Sequence, residues 1–131
     1  MSPLRTKNAR AVRITGYGGA ETLEIVDVDR PTPGEGEVLV EVMAAGINHV
    51  EDFVREGRYR DELDLEFPVG QGSDFAGIVV GVGAGVSSFA RGSEVLGHTT
   101  MGAHATFIVV PARNLVAKPA SLSWEVAGSL F

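Results

Sequence analysis

Short runs of alternating or β-branched residues recur along the chain, and glycine, proline or asparagine bounds each of them. Valines occupy the even positions of the run 38–43, while Leu39, Glu41 and Met43 form its other face. One face is therefore expected to be buried and the other only partly so. Repeated short strands between turn residues predict a mainly β fold, an antiparallel sheet closed into a barrel or a sandwich. The predicted strands cover residues 11–14, 23–28, 38–43, 78–82, 94–96, 107–110 and 115–117.

Two segments have the features of short helices instead. The first follows Asn48, a residue typical of helix N-caps, carries two acidic residues in its first turn and ends at Gly57. The second begins near Ser123 and reaches the last residue of the chain. Apolar side chains near a terminus have few partners, so we expect this segment to be disordered or to pack against a neighbouring molecule. The side chains concerned are Trp124, Val126, Leu130 and Phe131.

Length, charge and cysteine content restrict the class of protein. A chain of 131 residues, 44% of them hydrophobic, fits one globular domain. The net charge of −6, without any basic cluster, argues against a nucleic-acid partner. No apolar stretch is long enough to cross a membrane, so a cytoplasmic protein without a membrane partner is expected. The absence of cysteine excludes disulfides and thiolate metal sites.

Glycine is frequent, with 17 residues, and one glycine cluster needs comparison with a dinucleotide-binding loop. That fingerprint is Gly-x-Gly-x-x-Gly between a strand and a helix, so that backbone N–H groups face the pyrophosphate. Residues 81–86 read Gly-Val-Gly-Ala-Gly-Val, which puts Val86 at the third glycine position. No helical periodicity follows. The sequence therefore predicts a strand that runs into a tight turn.

The ionisable residues do not form a recognisable catalytic or metal-binding motif. The three histidines lack metal-ligand spacing, and no Gly-x-Ser-x-Gly nucleophile motif is present. Ser73 and Asp74 are adjacent, and their simplest interpretation is the cap of a turn that leads into a strand. The acidic segment 60–66 is interpreted as a solvated loop or an edge strand.

A series of motifs in fixed order carries a resemblance to a known family. They are the strand 37–42, Ala-Ala-Gly-Ile-Asn at 44–48, Arg-Glu-Gly-Arg-Tyr at 55–59, Gly-Ser-Asp-Phe-Ala-Gly-Ile-Val at 72–79, Gly-Ala-Gly-Val at 83–86 and Gly-Ser-Glu-Val at 92–95. From about residue 9 to the end, the chain resembles the N-terminal domain of the medium-chain dehydrogenase/reductase superfamily. Within it, the chain is most similar to the zinc-independent branch of NADPH:quinone oxidoreductases and enoyl reductases. The resemblance implies a GroES-like, partly open β-barrel with one or two short helices.

The resemblance also implies site residues. Zinc-dependent relatives carry a cysteine and a histidine ligand where this chain has Asn48 and Ser73, so no zinc is expected. Asn48 is implied to lie on the floor of the cleft beside the nicotinamide. Helical spacing places Asp52 one turn later on the same face, where it is expected to orient Asn48 and to belong to the cofactor site. Tyr59 is implied to be catalytic, donating a proton or a hydrogen bond to a conjugated carbonyl substrate. A phenol is protonated at neutral pH, which suits that role. Arg60, Asp61 and Glu62 replace the proline that commonly follows this tyrosine.

The implied domain organisation extends beyond this sequence. Residues 1–8 are expected to be a flexible N-terminus, 9–122 the GroES-like barrel, and 123–131 the start of a helix that leads to a missing Rossmann domain. NADP(H) would bind mainly to that domain, so we expect the chain to be the substrate-side half of an oxidoreductase and inactive alone. The substrate would be a quinone or another conjugated carbonyl compound, and the exposed C-terminal segment would allow homo-oligomers. The alternative is a non-catalytic GroES-like binding or scaffold module, because fold alone does not decide function.

Overall fold

The computed structural model describes residues 9–130, so the predicted flexible residues 1–8 and the side chain of Phe131 lie outside the described part. Within that range the protein is built mainly from short strands, with two short helices and two single turns of 3₁₀ helix, Ala20–Thr22 and Ala112–Asn114. The strands are β1 (Ala9–Ile14), β2 (Leu23–Val28), β3 (Glu37–Ala45), β4 (Val69–Gly70), β5 (Asp74–Val82), β6 (Glu94–His98), β7 (Phe107–Pro111) and β8 (Leu115–Ala117), and the helices are α1 (His49–Glu56) and α2 (Trp124–Ala127).

The strands form two antiparallel sheets. The smaller has the order β2-β1-β4, and the larger has the order β7-β3-β5-β6-β8. An isolated bridge between Ala11 and Ala105 brings β1 of the smaller sheet beside the segment that precedes β7. Among residues 9–130 the two sheets do not join into one closed ladder, so the predicted partly open barrel is confirmed.

The main core cluster is built from the larger sheet and is centred on β3 and β5. Val38 and Val40 are fully buried and pack with Phe75 and Val79 of β5. This is the valine face that the alternation predicts to be buried. The other face is covered unevenly, because Leu39 is buried whereas Met43, at a register shift against β5, is 48% exposed.

Helix α1 leaves the end of β3 and forms where the sequence predicts it. The backbone N–H of Asn48 donates to the Glu51 carboxylate at 2.7 Å, which satisfies a polar group at the helix start. Gly57 ends the helix with φ of +87°, a left-handed conformation that glycine adopts without steric cost. The helix therefore has fixed ends, with Asn48 before it and Tyr59 just after its last residue.

Helix α2 differs from its prediction, because the barrel holds it in place. Ser123 caps it by accepting from the Val126 N–H at 3.2 Å, and Ala127 is buried against Ala76 of β5 and Leu96 of β6. Trp124 packs against the same cluster but is only partly buried, so it stays partly uncovered as predicted. Val126 and Leu130 are about half exposed, as predicted.

The remaining loops agree with the sequence. The glycine cluster forms a tight turn after β5, with Gly85 at φ of +82°, and no helix follows it before β6. The acidic segment 60–66 is a loop whose charged residues are exposed. No helix in the described part of the chain is long and apolar enough to span a membrane.

Candidate functional site

Two neighbouring pockets lie beside α1. The Asn48 pocket has a volume of about 390 Å³ and is lined by Asn48, Val50, Ser73, Asp74, His98 and Thr99. The Tyr59 pocket has a volume of about 240 Å³ and is lined by Val50, Val54, Tyr59, Glu62, Leu63, Thr100 and Met101. Val50 belongs to both, and Thr99 and Thr100 are consecutive, so the two pockets adjoin. A larger open groove of about 540 Å³ beside β2 contains none of the predicted site residues.

The side chain of Asn48 is held by a polar network in its pocket. Its Nδ2 donates to Asp74 Oδ1 at 2.9 Å and lies 3.4 Å from Ser73 Oγ. The Ser73 hydroxyl in turn donates to Glu51 Oε2 at 3.2 Å. The network thus links the start of α1 to the start of β5.

The acidic members of this network are buried. Asp74 is 1% exposed and Glu51 is 6% exposed. Oδ2 of Asp74 has no hydrogen-bond partner within residues 9–130. Removing a carboxylate from water is costly unless other groups compensate for its charge. Packing of the core therefore does not by itself explain why position 74 carries a carboxylate.

The loop between β3 and Asn48 is fixed from two sides. Gly46 lies so close to the Asp74 carboxylate that a Cβ at this position would overlap it. The Gly46 carbonyl accepts a hydrogen bond of 2.8 Å from Nε2 of His104, which is therefore the protonated ring nitrogen. Gly46 is thus required by close packing, and His104 holds the loop that presents Asn48.

Tyr59 sits in the turn after α1. Its backbone carbonyl accepts from the N–H groups of Glu62 and Leu63, at 3.0 and 2.8 Å. Its side chain is 38% exposed and lines the largely apolar second pocket. The structure therefore brings Asn48 and Tyr59 to the same side of the barrel, as the sequence predicts.

Asp52 makes a different contact from the predicted one in the described structure. It lies on an exposed part of α1 and its carboxylate pairs with Arg55 at 3.1 Å. It lines neither pocket, and the carboxylate that accepts from Asn48 is that of Asp74. The orienting role of Asp52 and its contact with a cofactor stay predictions.

Ser73, Asp74 and Glu51 are members of the site that the sequence did not identify. The first two were interpreted as a turn cap, and Glu51 as one of two acids at a helix start. A signal was present in the sequence, since Asp74 immediately precedes the apolar start of a strand, where a carboxylate needs a partner.

The residues at this site differ from the zinc ligands that the resemblance implies for zinc-dependent relatives. Asn48 and Ser73 occupy the places of the two ligands that the resemblance implies for zinc-dependent relatives. In residues 9–130 no three histidine or acidic side chains are arranged to hold a metal ion. Zinc independence stays a prediction.

Comparison with known proteins identifies the family. The alcohol dehydrogenase GroES-like domain family matches residues 34–120. A quinone oxidoreductase from Rattus norvegicus is 36% identical over 126 residues, which are 95% of this chain but 38% of the relative. A mycocerosic acid synthase-like polyketide synthase from Mycobacterium tuberculosis is 42% identical over 112 residues, which are 86% of this chain and 5% of the relative.

Solved structures of similar fold belong to the same kinds of enzyme as these relatives. An Escherichia coli quinone oxidoreductase complexed with NADPH matches with a TM-score of 0.87 and 32% identity, over 93% of this chain and 37% of that one. The CurK enoyl reductase matches with a TM-score of 0.85 and 27% identity, over 93% and 39%. This chain thus spans less than two fifths of the length of the rat and E. coli quinone oxidoreductases. The chain belongs to the alcohol dehydrogenase GroES-like domain family, in the quinone oxidoreductase and enoyl reductase branch of the medium-chain dehydrogenase/reductase superfamily.

Proposed function

We propose that this chain is the substrate-side domain of an NADPH-dependent oxidoreductase that reduces a quinone or another conjugated carbonyl compound. The observation that carries the proposal is the pair of adjoining pockets, one with a fixed amide and one with a phenol. Each pocket is of a size that takes a small ring. Polar residues line most of the Asn48 pocket, whereas apolar residues dominate the Tyr59 pocket.

The Asn48 pocket is suited to the nicotinamide end of the cofactor. NADPH would supply a hydride to the substrate, and Asn48 would contact the ring that carries it. The residues described here do not include a Gly-x-Gly-x-x-Gly turn between a strand and a helix, since residues 83–85 form a turn without a helix behind it. The phosphates of the cofactor therefore need a binding site on another domain.

The Tyr59 pocket is suited to the substrate. Val50, Val54 and Met101 offer apolar surface to its hydrocarbon part. The phenol of Tyr59 would donate a hydrogen bond to the carbonyl oxygen, or a proton to the adjacent carbon. Either contact offsets the negative charge that develops on a conjugated carbonyl during reduction.

Activity then requires both halves of the enzyme, so the isolated chain is expected to be inactive. A chimera tests this directly. This chain would replace the matching N-terminal domain of the E. coli quinone oxidoreductase, to which its fold corresponds with a TM-score of 0.87. We expect the chimera to oxidise NADPH when a quinone is added, while the chain alone does not. A folded chimera that binds NADPH but reduces neither quinones nor enones would contradict the proposal.

A further inference from the structure

We propose that Asp74 is a positioning residue that fixes which way the side-chain amide of Asn48 faces. This inference rests on the proposed function in one respect, namely that the Asn48 amide contacts the nicotinamide of the cofactor. The positioning itself follows from burial, hydrogen bonding and close packing around Asp74.

The NH₂ group of Asn48 faces Asp74, since its Nδ2 donates to Asp74 Oδ1 at 2.9 Å and a carboxylate oxygen accepts such a bond. Ser73 Oγ, at 3.4 Å, lies on the same side. The amide oxygen is consequently turned away from Asp74. An asparagine without such a partner can rotate its amide by half a turn, because the NH₂ and the oxygen have nearly the same shape.

Asp74 is 1% exposed, and among residues 9–130 its Oδ2 has no hydrogen-bond partner. A core that served stability alone would be better filled by an apolar side chain at this position. Oδ1 of Asp74 accepts from Asn48, so the buried carboxylate acts directly on that amide.

Gly46 leaves just enough room for the carboxylate, because a Cβ there would overlap it. The His104 ring holds the Gly46 carbonyl at 2.8 Å, which keeps the loop against Asp74. Asp74 therefore cannot shift away from Asn48 without moving the end of β3.

Side-chain amide spectra of the ¹⁵N-labelled chain test this inference without any cofactor. The sequence contains three asparagines and one glutamine, so only four NH₂ pairs appear and each is assignable by substitution. We expect the Asn48 pair to exchange with solvent about tenfold more slowly than an asparagine in a short peptide, because its hydrogen bond is buried and charge-assisted. An Asn48 pair that exchanges as fast as the peptide would overturn the proposal in the unmodified chain.

Two variants separate positioning from general stability. Asp74→Leu removes the acceptor, so the slow exchange of Asn48 should be lost, whereas Asp74→Asn keeps an oxygen acceptor and should restore it. Val79→Ala, a truncation at an equally buried position of the same strand, should lower stability but leave the Asn48 signals unchanged. Gly46→Ala displaces the carboxylate and should act like Asp74→Leu. Slow exchange that persists in both Asp74→Leu and Gly46→Ala would refute the role of Asp74.

The outcome is independent of the proposed function. In the chimera, Asp74→Leu should lower kcat more than it changes KM for the quinone, with recovery in Asp74→Asn. If the spectra behave as expected but Asn48→Ala leaves the rate of the chimera unchanged, Asp74 still positions Asn48 and the cofactor role of Asn48 is wrong.

Discussion

The chain has two tyrosines, Tyr17 and Tyr59, whose rings have different neighbours. Comparing them separates the role of the Tyr59 hydroxyl from that of a tyrosine ring. Tyr59 lines an apolar pocket and its ring is partly open to solvent. Tyr17 is engaged through its ring, edge-on to Phe67 at 5.0 Å and beneath the Arg60 guanidinium at 4.8 Å. Removing the hydroxyl from Tyr17 leaves both ring contacts intact. Tyr17 is therefore a matched control for the phenol of Tyr59.

In the chimera, Tyr59→Phe should lower kcat for quinone or enone reduction about 100-fold, the usual scale for losing one acid or hydrogen-bond donor. Tyr17→Phe should keep nearly the full rate. Steady-state kinetics with NADPH in excess measure both. Equal rates for Tyr59→Phe and the unmodified chimera would show that the phenol takes no part in the reaction.

Helix α1 joins the two pockets, since Asn48 precedes it, Val50 lies between the pockets and Tyr59 follows Gly57. The helix has only eight residues, so its ends rather than its length define the positions of these side chains. The left-handed Gly57 is the point at which the chain turns back toward the Tyr59 pocket. The relative position of the two pockets therefore depends on this one turn.

Gly57→Ala should lower the free energy of unfolding by about 1 kcal/mol, because a Cβ is unfavourable at positive φ. Its Cβ would also displace the guanidinium end of the Arg60 side chain, which lies next to Gly57. Gly16→Ala is the control, since Gly16 is not left-handed and has open space around it. Urea denaturation of the three chains measures the difference. Equal losses in both variants would contradict the role assigned to the turn.

The sequence predicted the elements of this fold well because each has a local cause. Alternating valines define the buried face of β3, and an N-cap and a glycine define both ends of α1. Strand β4 was missed, because two residues that pair with β1 leave no periodicity to detect. Docking of α2 was also missed, since it depends on Gly128 lying against Ala44, a contact between residues 84 positions apart.

The site was predictable only in part for the same reason. The resemblance indicated Asn48 and Tyr59, and the geometry of a short helix was enough to expect them on one side. The partner of Asn48 lies 26 residues away on another strand, so helical spacing pointed to Asp52 instead of Asp74. Pairing between distant segments, rather than any local pattern, decides which carboxylate reaches the amide.

At the scale of the molecule, exposed apolar side chains remain on β3, the loop after it and the C-terminal segment. Ile47 is 89% exposed, Met43 48%, Val126 49% and Leu130 55%. Apolar surface of this kind tends to recruit partners. We therefore expect weak self-association of the isolated chain through the C-terminal segment rather than a discrete ring, which a GroES-like scaffold would form.

Val126→Ser with Leu130→Ser should reduce that self-association and leave the melting temperature within a few degrees, because both side chains are half exposed. Trp124→Ser should lower the melting temperature instead, since Trp124 packs against the cluster of Ala76, Leu96 and Ala127. Analytical ultracentrifugation and thermal unfolding measure the two effects. A stable large oligomer, unchanged by the double substitution, would favour the scaffold alternative.

We propose that this chain holds the substrate side of a reductase and that the main binding site for NADPH lies on another domain. Calorimetric titration of NADPH into the isolated chain measures this. We expect no saturable binding in the micromolar range, because residues 9–130 offer a pocket for one ring and no phosphate-binding turn before a helix. Micromolar binding of NADPH by this chain alone would show that the proposed division of the enzyme is wrong.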